Sequence, residues 1–262
     1  MKNNIILLLL LFATTIIYSQ EKDAAKDAQN PLANIISMPL QNNTSFGLGD
    51  DDRTSNTLNI QPIYPVTLGG DWILINRAII PIEAFPDFTQ TSGSITGLGD
   101  INYTAWLSPP PGGGGFTWGF GFVSIWPTAT DDILGSGKLS LGPSFVLVNA
   151  TEKLMLAAVI SDWFSVAGDA DRPDVNTFYL QYIITYFLAN KWYLSSAPIN
   201  TANWEAESGQ RWTIPIGGGF GKMFKIGNLP VDAQTQAFYY VVKPDGGPEW
   251  QLRLQFKMIF PK

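Results

Sequence analysis

From Trp250 to Phe260 every second residue is apolar (Trp250, Leu252, Leu254, Phe256, Met258, Phe260), and Gln251, Arg253, Gln255 and Lys257 occupy the positions between them. Successive side chains of a strand point to opposite faces, so this segment predicts a strand with one apolar and one polar face. The same period recurs along most of the chain. Phe178, Leu180, Tyr182, Ile184, Tyr186 and Leu188 alternate with a set that includes Gln181 and Thr185, and Phe116, Trp118, Phe120, Phe122 and Trp126 share a chain segment with Thr117, Gly119 and Gly121. Trp72, Trp192, Trp204, Trp212 and Trp250 fall near segment ends, where amphipathic rings favour a membrane interface. A soluble sandwich would turn its apolar faces inward, whereas apolar rows bounded by aromatics are expected of strands between lipid and water.

About twelve such segments are predicted: Ile36 to Leu48, Thr57 to Val66, Trp72 to Ile82, Ile101 to Leu107, Phe116 to Trp126, Leu139 to Val148, Leu154 to Val166, Val175 to Leu188, Trp192 to Trp204, Arg211 to Phe224, Val231 to Val242 and Trp250 to Phe260. Their links alternate in kind. One set is short: Gly69-Gly70-Asp71, Ser108 to Gly115, Asn149 to Lys153, Ala189-Asn190-Lys191 and Gly227-Asn228. The other is longer and acidic, carrying Asp50 to Asp52, Glu83 and Asp87, Asp131 and Asp132, Asp169, Asp171 and Asp174, Glu205 and Glu207, and Asp245 and Glu249. An even number of strands with both chain ends on the short-turn side predicts an all-β, transmembrane, antiparallel up-and-down β-barrel in the outer membrane of a Gram-negative envelope.

Composition agrees with this picture. With 45% hydrophobic and 15% charged residues and a mean hydropathy of +0.07, the chain is apolar for a soluble β-protein, yet has no continuous stretch of about twenty apolar residues for a membrane helix. Closed barrels satisfy every backbone group internally. Lys2 followed by the apolar run Ile5 to Ile17 and by Ser19 and Gln20 predicts a cleaved signal peptide over residues 1–19. Residues 20–36 predict a short amphipathic helix capped by Asn30, with Pro31 in its first position and Leu32, Ile35 and Ile36 on one side, as a plug or periplasmic segment; 37–262 are then the barrel.

The stretches Pro127-Thr128-Ala129-Thr130-Asp131-Asp132 with Gly135-Ser136-Gly137-Lys138, Ala167-Gly168-Asp169-Ala170-Asp171-Arg172, Asn203-Trp204-Glu205-Ala206-Glu207-Ser208-Gly209 and Pro244-Asp245-Gly246-Gly247-Pro248-Glu249-Trp250, with the ending Phe260-Pro261-Lys262, resemble the outer-membrane transporters associated with the meta pathway of phenol degradation. The resemblance covers nearly the whole mature chain. It implies a transport or channel role in the outer membrane and carries no site residues over.

Candidate chemistry narrows the function further. The chain has no histidine and no cysteine, so imidazole-activated nucleophiles, thiolate metal sites and a lipoprotein anchor are excluded, and no enzyme activity and no cofactor are expected. Glu205 and Glu207 read as solvated loop carboxylates, and Gly217-Gly218-Gly219 with Gly221-Lys222 lacks the spacing of a phosphate loop. Asp50-Asp51-Asp52 and Asp169-Ala170-Asp171 offer oxygen ligands without matching a calcium loop, and no metal site is assigned to them. A net charge of -6 argues against nucleic acid. Expected partners are membrane lipid and outer-leaflet glycolipid, the barrel-assembly machinery and a small-molecule solute. The lumen is expected to be lined by Asn59, Gln61, Arg77, Asn102, Gln181, Arg211, Gln234, Gln236, Gln251, Arg253, Gln255 and Lys257, which suits a narrow pathway for small organic, aromatic or anionic solutes. The alternative is a non-conducting structural or surface-binding barrel.

Overall fold

The computed structural model describes residues 26–88, 93–110 and 115–260. The expected signal peptide, part of the turn between Ser108 and Gly115, and Pro261-Lys262 lie outside the described residues. The described chain forms β1 (Ile36–Leu48), β2 (Arg53–Ile60), β3 (Ile63–Thr67), β4 (Ile73–Pro86), β5 (Ser94–Leu98), β6 (Ile101–Ser108), β7 (Phe116–Trp126), β8 (Lys138–Ala150), β9 (Leu154–Gly168), β10 (Asn176–Phe187), β11 (Trp192–Ser196), β12 (Ile199–Asn203), β13 (Trp212–Ile226), β14 (Leu229–Val242) and β15 (Trp250–Phe260). Three staves are each built from two segments: β2 with β3, β5 with β6, and β11 with β12. The result is a closed antiparallel barrel of twelve staves. Closure is made by β1 against β15, from Ile36 opposite Phe260 to Phe46 opposite Trp250. The three broken staves interrupt at Gln61-Pro62, Gly99-Asp100 and Ala197-Pro198. Two of these breaks hold a proline, which has no N–H for the ladder, and the third a glycine.

Residues opposite each other in register share a face, so the alternation read from the sequence becomes an outer and an inner surface. Phe116, Trp118, Phe120 and Phe122 are each exposed, as are Phe145, Leu147, Ile216, Phe220 and Leu254. An apolar exterior this extensive on a closed ladder is the surface of a barrel immersed in lipid. No helix among the described residues is long and apolar enough to cross a membrane. The short links at 68–72, 151–153, 188–191 and 227–228, the end of β6 and the start of β7 lie at the same end as the start of β1 and the end of β15, here called the turn end.

The expected short N-terminal helix is present but lies earlier than its capping residues suggest, and residues 20–25 of the expected segment lie outside the described residues. One helical turn covers 26–29, before Asn30 instead of after it, and the Asn30 N–H closes the turn on the Lys26 carbonyl at 3.0 Å. The Asn30 side chain then accepts the Leu32 N–H at 2.8 Å. The reason is competition for the apolar residues that follow: Ile36 is taken into β1 opposite Phe260, leaving too little chain after Pro31 for a helix.

At the loop end, stretches quoted above are tied together by Arg172. Its guanidinium donates to the carbonyls of Asp132 (2.7 Å), Gly135 (2.5 Å) and Ser136 (3.3 Å), joining the loop 127–137 to the loop 169–175. Gly137 has φ 70°, and a Cβ there would lie 2.9 Å from Arg172 Cγ, which is why this position takes glycine. Asp174 accepts from the Ser165 hydroxyl and faces Lys138; those two partners hold its carboxyl below the usual carboxylate range. Arg172→Ala is expected to cost about 2 kcal/mol, given that hydrogen bonds from a charged donor contribute roughly 1.5–3 kcal/mol. Limited proteolysis should then cut 127–137 at temperatures where the wild type resists; equal resistance would show that the clasp is redundant.

Candidate functional site: a plugged polar lumen

The inner face divides into two levels. Toward the turn end it is apolar: Ile75, Trp106, Val146, Val148, Met155, Ala157 and Val159 form a buried cluster that receives Leu32 of the N-terminal segment. Ala28 packs beside them with Met223 and Ile259, and Ile35 lies against this second cluster. Residues 26–35 therefore fill the turn-end mouth from within.

Polar contacts fix this plug to the wall. Asp232, fully buried on β14, accepts from the Gln29 side chain at 3.0 Å and from the Tyr193 hydroxyl at 2.8 and 3.0 Å. Lys257, opposite Asp232 in register, donates to the Ala28 carbonyl. Gly221 makes room for the arrangement, because a Cβ there would stand 2.2 Å from the Tyr193 hydroxyl.

Above the plug lies a polar level around a cavity of about 100 Å³, lined by Gln61, Arg77, Gln181, Gln234, Gln236, Arg253, Gln255 and Lys257 together with Gln29, Gln41 and Trp106. Arg253 is 4% exposed. Its Nε donates to Asn43 Oδ1 at 3.0 Å, and its Nη1 to the Ala197 carbonyl at 2.8 Å and to Gln236 Oε1 at 3.4 Å, with the guanidinium 4.8 Å from the Phe238 ring centre. Arg77 donates to Gln61 Oε1 at 2.5 Å. The hydrogen-bond acceptors of both guanidiniums are neutral, so this level keeps an excess of positive charge in a low-dielectric wall.

Eight of the twelve residues expected to line the lumen border this cavity. Asn59 faces Gln41 in register, and Asn102 and Thr104 are hydrogen-bonded on the inner face of β6. Gln251 bonds Ser45 and Tyr240 nearer the loop end. Arg211 does not belong to the lumen: it precedes β13, is exposed, and donates to the Ala206 carbonyl within its own loop. The loop's turn captures it before the strand begins. Asp232, Tyr193 and Gln29, which hold the plug, went unread in the sequence. Asp232 shares parity with Gln234 and Gln236, and that shared parity was the available signal. Tyr193 adjoins Trp192 and reads as another interfacial aromatic. Among the described residues no three or more acidic side chains are gathered as metal ligands.

No family model matches the chain, and no curated protein matches it. Solved structures do resemble it. An outer membrane channel from Pseudomonas putida F1 superposes with a TM-score of 0.66 at 15% identity, over 88% of this chain and 98% of that one. The NanC porin superposes with a TM-score of 0.54 at 9% identity, over 87% of this chain and 100% of that one. At these identities the likeness is one of fold, and the architecture is that of an outer-membrane β-barrel.

Proposed function

We propose that this barrel is a channel for small organic solutes, closed in the described state by residues 26–35 and biased toward anions by Arg77, Arg253 and Lys257. The observation that carries this reading is a cationic, amide-rich level stacked directly on a segment of the chain's own N-terminal region. A barrel built only as a scaffold has no need of luminal guanidiniums satisfied by neutral acceptors, since an apolar filling would be at least as stable. The loop stretches that resemble transporters of phenol degradation support aromatic acids as the first solutes to try, and both named structural relatives are described as a channel or porin. The turn end is then periplasmic, and the acidic loops face outward beside surface glycolipid.

Single-channel recording in planar bilayers tests this. Discrete conductance is expected, with a reversal potential favouring anions in a salt gradient and block by benzoate-sized acids. Arg253→Glu is expected to reverse the preference to cations; unchanged selectivity would take Arg253 out of the pathway. A second reading, a non-conducting structural or surface-binding barrel, is favoured by the small cavity and the apolar lower level. A folded barrel that never conducts, even with the plug removed, would establish it.

A further inference from the structure

The barrel wall is not laced evenly. Trp192 to Ser195 pair with Lys222 to Gly219, and Thr201 and Ala202 pair with Thr213 and Trp212, in one continuous register. Between these two ladders, residues 196–200 run beside 214–218 with no paired position. Each strand carries a proline there, Pro198 and Pro215, and a Cβ at Gly218 would stand 2.8 Å from the Ser195 carbonyl oxygen, so the two backbones run close together without pairing. The other flank is interrupted too: β10 pairs up to Gln181 opposite Ile199 and resumes at Ile184 opposite Ser196.

Side chains take over the carbonyls that the ladder releases. The Ser196 hydroxyl donates to the Gly217 carbonyl at 2.6 Å. Arg253 and Gln181 both donate from the lumen to the Ala197 carbonyl, at 2.8 and 3.3 Å, and Gln236 donates to the Ser195 carbonyl at 3.1 Å. The seam lies between two aromatic levels on the outer surface: Trp192 with Lys222 over its ring toward the turn end, and the Phe178, Trp204 and Trp212 cluster toward the loop end. That is the depth of the hydrocarbon, where backbone groups must find their partners within the protein.

We propose that this seam is a lateral portal: a small solute with an apolar or aromatic body passes from the lumen between β12 and β13 into the bilayer, and Arg253 with Gln181 is the latch. The proposal rests on the channel reading for delivery of solute to the polar level. A carboxylate on the solute would release the latch, because a guanidinium binds an anionic acceptor more strongly than the neutral Ala197 carbonyl.

The chain has no cysteine, so an introduced pair is unambiguous. Pro198→Cys with Ile216→Cys places thiols opposite each other across the seam in the running register, and Leu147→Cys with Ala158→Cys, paired in an uninterrupted ladder, is the control. The probe is cis-parinaric acid, a fluorescent carboxylate with an apolar body, added to intact cells whose glycolipid leaflet slows its entry. With the seam disulfide formed, protein-dependent uptake is expected to fall to the level of cells lacking the protein and to return on reduction. The control disulfide should change nothing. Full uptake through the cross-linked seam, or no protein-dependent uptake with the seam open, would overturn the portal. Ion conductance of the same oxidised protein is measured separately and should persist. Its absence even after deletion of residues 26–34 would sink the channel reading, while the uptake result still decides the portal. If the first pair fails to assemble, judged by heat-modifiable gel mobility, Thr201→Cys with Thr213→Cys at the upper lip carries the same test.

Discussion

Deleting residues 26–34 is expected to turn a barrel that opens only rarely in planar bilayers into one that conducts steadily. Leu32 is the main apolar anchor of this segment, seated among Ile75, Trp106, Val148 and Met155. Burying such a side chain contributes about 2 kcal/mol, which alone corresponds to roughly thirtyfold in the ratio of closed to open states. The contacts of Gln29 with Asp232 and of Lys257 with the Ala28 carbonyl add to it. Leu32→Ala should therefore give an intermediate: brief openings where the deletion gives long ones. A deleted barrel as quiet as the wild type would place the closure elsewhere, in the packed Trp106 level or the outer loops.

Asp232→Ala should be the most destabilising single change in the lumen. The carboxylate accepts from Tyr193 and Gln29 and stands opposite Lys257 in register. Removing one partner of a buried charged network costs about 3–5 kcal/mol, because the donors left behind remain desolvated. The expected signature is a lower temperature for the heat-induced shift in gel mobility, together with frequent openings as the plug loses Gln29. Adding Lys257→Met should recover part of the loss, since the uncompensated ammonium disappears with it. A double variant no more stable than Asp232→Ala would mean that Lys257 draws its support from the Ala28 carbonyl alone.

The barrel was legible because its period is two and its rule is simple: lipid on one parity, polar groups on the other. That is enough to read twelve staves, the alternation of short and long links, and an inner face containing Arg77, Gln181, Gln236 and Arg253. It is silent on two of the three breaks, because Gln61-Pro62 and Ala197-Pro198 leave the parity on either side intact, so the run still reads as one strand. It also stops at strand ends, where loop geometry takes over; Arg211 keeps the luminal parity and still points away. The plug was only partly visible. Its apolar residues could be read, but not which wall they would meet, since Leu32 meets strands from four separate parts of the chain. Contacts across a lumen are set by the curvature of the closed sheet, and no local spacing encodes them.

The seam where β1 meets β15 also constrains the history of the molecule. Arg253 and Asn43, bonded across it, stand 210 residues apart. Pairings this distant form last, because loop-closure entropy opposes them until the intervening strands are ordered. Until that moment the growing sheet has two unsatisfied edges, which lipid cannot solvate. A sheet that lacks its final strand therefore carries edges that lipid cannot satisfy, and stable insertion is expected to await closure. Because residues 26–35 lead directly into β1, the same event that joins the two edges encloses the plug. On the channel reading the barrel closes with its plug already in place, and the outer membrane meets no open pore during assembly.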